Sequence, residues 1–288
     1  MLGGPVVSLE SFSAACALPF AWRRHNSQRY LFVLSHMRSY SSLLAHLLGN
    51  SPEIDGYGET HVRYQSKLDL WRLRSRVQRS TGSAPRARWL LDKILQNNIM
   101  PPDGVIPRER MLSIISLRNP ENTIRSIVTL LKGREQASDV PPPCPELACD
   151  YYVSRLHRLR VDGERLGKRA LYFDAEALVQ GPEKTLAMLS AWLELRAPLV
   201  PDYQILPRTG EFGFGDPSRN IYSGRILSSA ASTVCAEMEL PKPLLLEAQA
   251  AYERCRSSLL KHCEVMRDGL WSHDLDWAQL TALDTMYA

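Results

Sequence analysis

The sequence predicts an α/β fold in which a central parallel sheet is flanked by helices on both faces. Short apolar segments alternate along the chain with amphipathic segments of helical period, and this alternation is typical of parallel sheets. Polar turns follow two of the apolar segments directly. In such sheets, ligands bind at the carboxyl ends of the strands. The pattern therefore also indicates where a binding site should lie.

Four apolar segments have the length and composition of buried strands. They are residues 30–35, 88–94, 111–117 and 169–175, of which 88–94 could also be a short helix. Helices are predicted at 40–49, which Gly49 should end, at 120–131, at 182–195 and at 243–263. The Pro-rich segment 139–150 and the Gly-rich segment 211–226 are predicted to be loops.

Composition sets the broad class of the protein. The 288 residues are 44% hydrophobic and 23% charged, and a formal net charge of +4 is too small to predict nucleic-acid binding. No apolar stretch in the sequence reaches 18 residues. We expect residues 1–28 to be a loosely attached extension and residues 29–288 to form a single domain.

The cysteines and histidines do not have the spacing of a metal site, so no metal is predicted. The six cysteines should be reduced, mostly buried thiols of a cytoplasmic protein. The alternative is a disulfide between Cys144 and Cys149.

The first polar turn has the features of an anion site. Arg38 is followed by Ser39, Tyr40, Ser41 and Ser42, between a strand and a helix. A helix N-terminus offers free N–H groups and a positive dipole, and serine and arginine add donors. The turn lacks the spacing and the lysine of a Walker phosphate loop, which argues against a nucleotide triphosphatase. A serine-capped helix with a surface arginine remains the alternative.

The second polar turn could complete the same site. Arg118 ends a predicted strand, and Ser126 follows eight positions later in the next helix. The two side chains could converge on one phosphate. A helix-capping loop with an exposed serine is the alternative.

Together, the two turns resemble the sulfotransferases that use 3′-phosphoadenosine 5′-phosphosulfate as the sulfuryl donor. In that family an [R/K]SGTT motif binds the 5′-phosphosulfate, and an arginine followed eight residues later by a serine binds the 3′-phosphate. Here the first motif reads RSYSS (38–42), and Arg118 and Ser126 match the second. The resemblance covers about residues 30–226 and implies a P-loop-like three-layer fold. Tyr40 stands where the family has glycine, and a tyrosine can serve there only if its backbone keeps ordinary angles and its ring points away from the anion.

A third stretch resembles the bacterial, glycan-type and tyrosylprotein members of that family. NSPEIDGYGETH (50–61) is similar to their HPxIxxxGE stretch, where a glutamate acts as catalytic base. The resemblance implies that Glu59 is the base, with His61 as the alternative base and a solvated loop carboxylate as the plain interpretation. Lys93 stands where relatives carry a lysine near the sulfate, although it could also be a surface lysine.

The resemblance implies three further donor contacts. Tyr172 lies in a segment similar to the family's YEDL stretch, from which this sequence departs. Ser218 and Arg225 lie in a segment similar to the late loop that closes over the nucleotide, and they could equally be plain loop residues.

The acceptor is suggested by charge alone. Between positions 63 and 93 there are nine Lys or Arg residues, at 63, 67, 72, 74, 76, 79, 86, 88 and 93, against Asp69 and Asp92. This predicts an acidic acceptor, with an anionic glycan or glycolipid favoured over an acidic tyrosine peptide. It is also typical of a solvated helix face or of a helix that contacts a membrane surface. A metal-dependent kinase and a non-catalytic nucleotide-binding relative are the rival functions.

Overall fold

The computed structural model describes residues 28–132, 144–211, 214, 219–227, 238–267 and 270–271. Its main sheet has five parallel strands in the order β2-β3-β1-β4-β5. The strands are β1 (Arg29–Leu34), β2 (Ile54–Asp55), β3 (Trp89–Ile94), β4 (Met111–Leu117) and β5 (Ala170–Asp174). A separate antiparallel pair consists of β6 (Met266–Arg267) and β7 (Leu270–Trp271).

The α-helices of the described residues are listed here in chain order. They are α1 (Ser41–Gly49), α2 (Leu68–Thr81), α3 (Pro120–Lys132), α4 (Pro145–Leu166), α5 (Ala177–Gln180), α6 (Pro182–Trp192) and α7 (Lys242–His262). Short 3₁₀ helices span Arg108–Arg110, Gly167–Arg169 and Arg219–Ser223.

The sheet is the middle of three layers. Along β1, Phe32 and Leu34 face a core shared with α2, α3, α4 and α7. Leu31 and Val33 face the opposite core, which α1 and α6 cover. Burying each such side chain stabilises the fold by about 1.5–3 kcal/mol. The predicted parallel sheet with helices on both faces is confirmed.

All four predicted strands form, and residues 88–94 are a strand rather than a helix. The central position of β1 decides where the site lies, because β1 pairs with β4 on one side and with β3 on the other. Leu34 is opposite Ile115 in the ladder. The turns that follow β1 and β4 are therefore neighbours in space.

The prediction of a loop at residues 139–150 is wrong from Pro145 onward, because α4 begins there. Proline is tolerated in the first turn of a helix, where its missing N–H has no partner to lose. The buried positions of α4 then recur every three or four residues, as in Cys149, Tyr152, Leu156 and Leu159. Residues 139–143 lie outside the described part of the chain.

Helix α1 ends at Gly49, as predicted, but packing explains the glycine better than helix termination. A Cβ atom at Gly49 would lie 2.7 Å from the Tyr57 Cβ and 2.9 Å from the Gly56 carbonyl oxygen. The next residue, Asn50, caps the helix with ordinary right-handed angles. Helix α6 is shorter than predicted and ends at Trp192.

The thiols of Cys144 and Cys149 are free, so the alternative disulfide does not form. Among the described helices, none is long and apolar enough to cross a membrane.

Candidate active site

His36 joins the two polar turns. Its Nδ1 donates to the Met37 carbonyl oxygen at 2.9 Å, and its Nε2 accepts the backbone N–H of Arg118 at 3.0 Å. Complete burial lowers the pKa of His36 to about 3, so the ring is neutral at neutral pH. A neutral ring with one donor and one acceptor matches both partners. His36 therefore holds the end of β4 against the end of β1.

The arginines of the two motifs complete the junction. Arg118 Nη1 donates to the Arg38 carbonyl oxygen at 2.9 Å, and Arg38 Nε donates to Ser126 Oγ at 2.8 Å. Arg118 is only 8% exposed, and its Nε is buried without a hydrogen-bond partner among the described residues. A buried unpaired donor is costly. An anionic group at this position would satisfy it, so the residues fit a phosphate.

Tyr40 meets neither of the two conditions stated for it from the sequence. Its backbone is left-handed, with φ 59° and ψ 13°, and Arg38 is also left-handed, with φ 64°. The Tyr40 ring does not point away from the site, because the Arg118 guanidinium carbon lies 4.6 Å from the ring centre. The glycine-like conformation is thus kept by a tyrosine, at a cost of about 1–3 kcal/mol. Its ring supports the arginine through a cation–π contact.

The serines of the first turn differ in their roles. Ser39 Oγ lies 2.6 Å from Ser35 Oγ and donates to the His36 carbonyl oxygen at 2.7 Å, so its hydroxyl is used within the turn. Ser41 and Ser42 are buried at the start of α1, where the first N–H groups have no intrahelical acceptor. Lys93 donates to Ser42 Oγ at 2.8 Å, which leaves the hydroxyl proton of Ser42 for another acceptor.

Lys93 connects this turn to Glu59. Lys93 is 1% exposed, so the interpretation as a surface lysine is wrong. Its Nζ lies 3.3 Å from Glu59 Oε1, and Gln96 Nε2 donates to Glu59 Oε2 at 2.8 Å. Glu59 is therefore a positioned, largely buried carboxylate, not a solvated one. His61 is exposed, has φ 53°, and its Nδ1 lies 3.4 Å from the same Gln96 nitrogen.

Asp92 fixes the loop that carries Glu59. It accepts the Thr60 backbone N–H at 2.9 Å, the Thr60 hydroxyl at 2.8 Å and the Tyr64 hydroxyl at 2.6 Å. Burial raises the pKa of Asp92 to about 6, although these three donors favour the charged form. The sequence indicated Asp92 only as a minority charge in a basic stretch.

A cleft of about 490 Å³ lies beside Glu59. Its lining residues are Glu59, Thr60, His61, Arg76, Arg79, Arg208 and Phe214. Of the nine basic residues between positions 63 and 93, Arg76 and Arg79 are the two that line it. Arg74, Arg86 and Arg88 line a separate cleft with Gln28 and Arg29. Five of the nine basic residues thus line one or other of these two clefts, and the other four line neither.

Helix α4 braces the site from behind, which the sequence did not predict. Tyr151 accepts the Met37 N–H and donates to the Leu95 carbonyl oxygen, both at 3.0 Å. Tyr152 donates to the Arg118 carbonyl oxygen at 2.7 Å. Arg155 reaches the ends of β1 and β3, donating to the carbonyl oxygens of Ser35 and Ile94, each at 2.8 Å. Side chains of this one helix therefore bond to all three strand ends, in addition to the link through His36.

Of the three remaining predicted donor contacts, the structure describes Tyr172 and Arg225, and neither contacts these turns. Tyr172 is buried in β5, and its hydroxyl donates to Asp174, which Arg256 also contacts. Arg225 is exposed and makes backbone contacts with Ser223 and Asp202. Ser218 lies outside the described residues. The roles of all three stay predictions.

The described residues contain no group of three or more His, Cys, Asp or Glu side chains that could hold a metal ion.

Two sulfotransferase domains are among the solved structures that this chain resembles. The sulfotransferase domain from the curacin biosynthetic pathway is 19% identical, with a TM-score of 0.54, over 80% of this chain and 98% of that chain. The sulfotransferase domain from the Synechococcus PCC 7002 olefin synthase is 18% identical, with a TM-score of 0.55, over 79% of this chain and 94% of that chain. The chain has the sulfotransferase fold.

At these identities the sulfotransferase fold is shown, and activity is a separate question. No protein-family model matches the sequence, and no curated protein matches it. The function must therefore be argued from the site.

Proposed function

We propose that the protein is a sulfotransferase that moves a sulfuryl group from 3′-phosphoadenosine 5′-phosphosulfate to an acceptor hydroxyl. The observation that carries the proposal is the junction of the two motifs, in which Arg38 bonds Ser126 and the buried Nε of Arg118 has no partner within the described residues. The donor has two anionic groups, a phosphate on the 3′ oxygen of its ribose and a phosphosulfate on the 5′ oxygen. Two neighbouring anion sites at adjacent strand ends fit such a molecule, and the fold supports the same proposal.

Each end of the donor has proposed contacts. The 5′-phosphosulfate would lie at the N-terminus of α1, against the backbone of residues 38–42, with the hydroxyls of Ser41 and Ser42 and the charge of Lys93 nearby. The 3′-phosphate would bind Arg118 and Ser126. Arg38, expected to serve the 5′ end, bonds Ser126 through its side chain. It can therefore serve both ends, through its backbone and its guanidinium.

Glu59 is the proposed general base. The acceptor oxygen would attack sulfur while its proton passes to Glu59, and the bond from sulfur to the bridging oxygen would break. The nucleotide then leaves as 3′-phosphoadenosine 5′-phosphate. Such a loose, anionic transition state depends on positioning and charge, which Lys93 and the N–H groups of α1 would supply. The base would contribute about 10²–10⁴ in rate. His61 is the alternative base.

The acceptor is proposed to be a glycan or glycolipid hydroxyl, and the runner-up is the hydroxyl of a peptide tyrosine. Both reactions use the same chemistry at Glu59. The positive charge near that residue supports an anionic acceptor of either kind.

Donor binding is the first test. 3′-Phosphoadenosine 5′-phosphate should raise the melting temperature by mass action, and ATP, which has no 3′-phosphate, should do so much less. Equal stabilisation by both nucleotides would contradict the assignment of Arg118 and Ser126.

Turnover is the second test, with radiolabelled donor and a panel of hydroxyl acceptors. Glu59→Gln should lower kcat at least ~100-fold while donor affinity changes less than ~3-fold, since a base acts on the acceptor proton. Glu183→Gln, an exposed residue of α6, is the control and should be unaffected. Loss of turnover in His61→Ala but not in Glu59→Gln would assign the base to His61. Donor binding without any turnover would favour the non-catalytic relative, for which Tyr40 in the glycine position is the supporting observation.

A further inference from the structure

The cleft beside Glu59 has an excess of positive charge. Three of its lining residues are arginines, namely Arg76, Arg79 and Arg208, and the one lining carboxylate is Glu59. Glu59 already has a cation of its own, because Lys93 lies 3.3 Å from it. The cleft therefore presents more positive charge than its own residues balance.

Two of the arginines reach the cleft from the same face of α2. Arg76 and Arg79 are three positions apart, which places them side by side on a helix. Arg76 Nη1 donates to the Thr60 carbonyl oxygen, next to Glu59 in the chain. Arg79 is exposed and its Nε lies 3.4 Å from the Ser75 carbonyl oxygen. Among the described residues neither arginine has a carboxylate partner, whereas Arg72 on the same helix pairs with Asp69 at 2.5 Å.

The third arginine, Arg208, reaches the cleft from a different segment of the chain. Arg208 pairs with Glu211 at 2.6 Å on the surface, and its guanidinium carbon lies 4.4 Å from the centre of the Phe214 ring. The backbone N–H of Glu59 donates to the Phe214 carbonyl oxygen at 3.1 Å. The Arg208–Phe214 pair is thus linked to the backbone of the proposed base.

We infer that this cleft binds the acceptor by a carboxylate, which Arg76 and Arg79 hold while the acceptor hydroxyl lies at Glu59. Guanidinium groups bind carboxylates with two parallel hydrogen bonds and so fix orientation as well as position. The inference rests on the proposed function and adds to it the substrate class and the two residues that select it.

The observations favour a carboxylated saccharide over an acidic peptide. A volume of about 490 Å³ is within the range of small-molecule sites. One common mode of peptide binding adds a strand to an exposed sheet edge, but no lining residue of this cleft lies in a strand. The lining here consists chiefly of charged and aromatic side chains, which suit a sugar ring and its carboxylate.

The test compares two saccharides that differ only in charge. The probes are a tetrasaccharide of alternating glucuronate and N-acetylglucosamine, and the same tetrasaccharide with its carboxyl groups reduced to alcohols. Affinity is measured by calorimetry in the presence of saturating 3′-phosphoadenosine 5′-phosphate. The charged probe should bind the wild type at least ~10-fold more tightly, the size of one charge-assisted hydrogen bond.

Substitutions of the arginines show which residues bind the carboxylate of the charged probe. The preference for the charged probe should be lost in the single variant Arg79→Gln and in the double variant that also carries Arg76→Gln. The control variant Arg72→Gln should keep this preference. If Arg76 only supported the Glu59 loop, its loss would weaken both probes equally. Equal affinity of the two probes, no saturable binding of the charged one, or a preference that survives the double substitution would overturn the inference.

The outcomes separate this inference from the proposed function. If 3′-phosphoadenosine 5′-phosphate itself fails to bind, the sulfotransferase proposal fails. If it binds and the two saccharides bind equally, only the carboxylate inference fails. A preference for a tyrosine peptide with acidic neighbours over its amidated form, without one between the saccharides, would assign the cleft to peptides and reject the saccharide.

Discussion

Replacing Arg155 with Met should destabilise the protein by about 2–4 kcal/mol, because methionine cannot supply the hydrogen bonds that Arg155 donates. The side chain is 1% exposed, and it donates to the carbonyl oxygens of Ser35, Ile94 and Gln96 at 2.7–2.8 Å. The methionine side chain fills most of the volume of the arginine side chain but has no N–H group to donate to these oxygens. The Ile94 oxygen would keep one partner, the Ser35 N–H at 3.3 Å.

The buried Ser35 oxygen would lose this donor at a cost of about 1–3 kcal/mol, and the half-buried Gln96 oxygen would add about 1 kcal/mol, the net contribution of one hydrogen bond. Part of this cost is offset, because a buried charge is also removed. That burial lowers the pKa of Arg155 to about 10, which still leaves it charged at neutral pH.

Denaturant unfolding with linear extrapolation measures the change in stability. Arg160→Met is the matched control on the same helix, where an exposed ion pair with Glu164 should contribute less than about 1 kcal/mol. If Arg155→Met loses no more stability than Arg160→Met, the view that α4 holds the strand ends is wrong.

Three further predictions concern the turns. Arg118→Ala should weaken binding of 3′-phosphoadenosine 5′-phosphate by about 2–5 kcal/mol in calorimetry, and unchanged affinity would mean that the second motif has been misread. Tyr40→Leu should cost about 0.5–2 kcal/mol of the same affinity by removing the ring under Arg118, whereas Tyr40→Phe should stay within about twofold, and equal loss in both would reject the cation–π role. Lowering the pH from 6.5 to 5 should destabilise the wild type by about 1.6 kcal/mol more than His36→Asn, because the unfolded histidine binds a proton near its ordinary pKa and the buried one, with its pKa lowered to about 3, does not. Parallel pH profiles of the two proteins would contradict the neutral ring.

The periodic elements and the place of the two turns could be predicted from the sequence. Apolar runs such as 111–117 have only one plausible structure between polar turns, and parallel pairing brings their ends together. Helix α4 was missed because prolines near its start suggested a loop.

Single buried polar residues were missed for another reason. His36, Asp92 and Arg155 show no periodic signal, because what each one does is set by partners 28–120 positions away in the chain. The left-handed backbone of Tyr40 was not predicted, because this conformation is uncommon for residues other than glycine. In the structure, the contact between the Tyr40 ring and Arg118 accompanies it.

The neutral His36 link has a consequence for inhibitor design. Because it ties the N–H of Arg118 to the turn after β1, the two proposed anion sites are held at a fixed spacing before any ligand arrives. When a molecule carries two correctly spaced anionic groups, binding of the first group to one site holds the second group close to the other site. The effective concentration of the second group there is on the order of millimolar or higher. The affinity of the whole molecule should then exceed that of either single-anion fragment by orders of magnitude. Inhibitors for this site should therefore be rigid bisphosphates of matched length, because optimising a monophosphate improves the contacts of only one of the two sites.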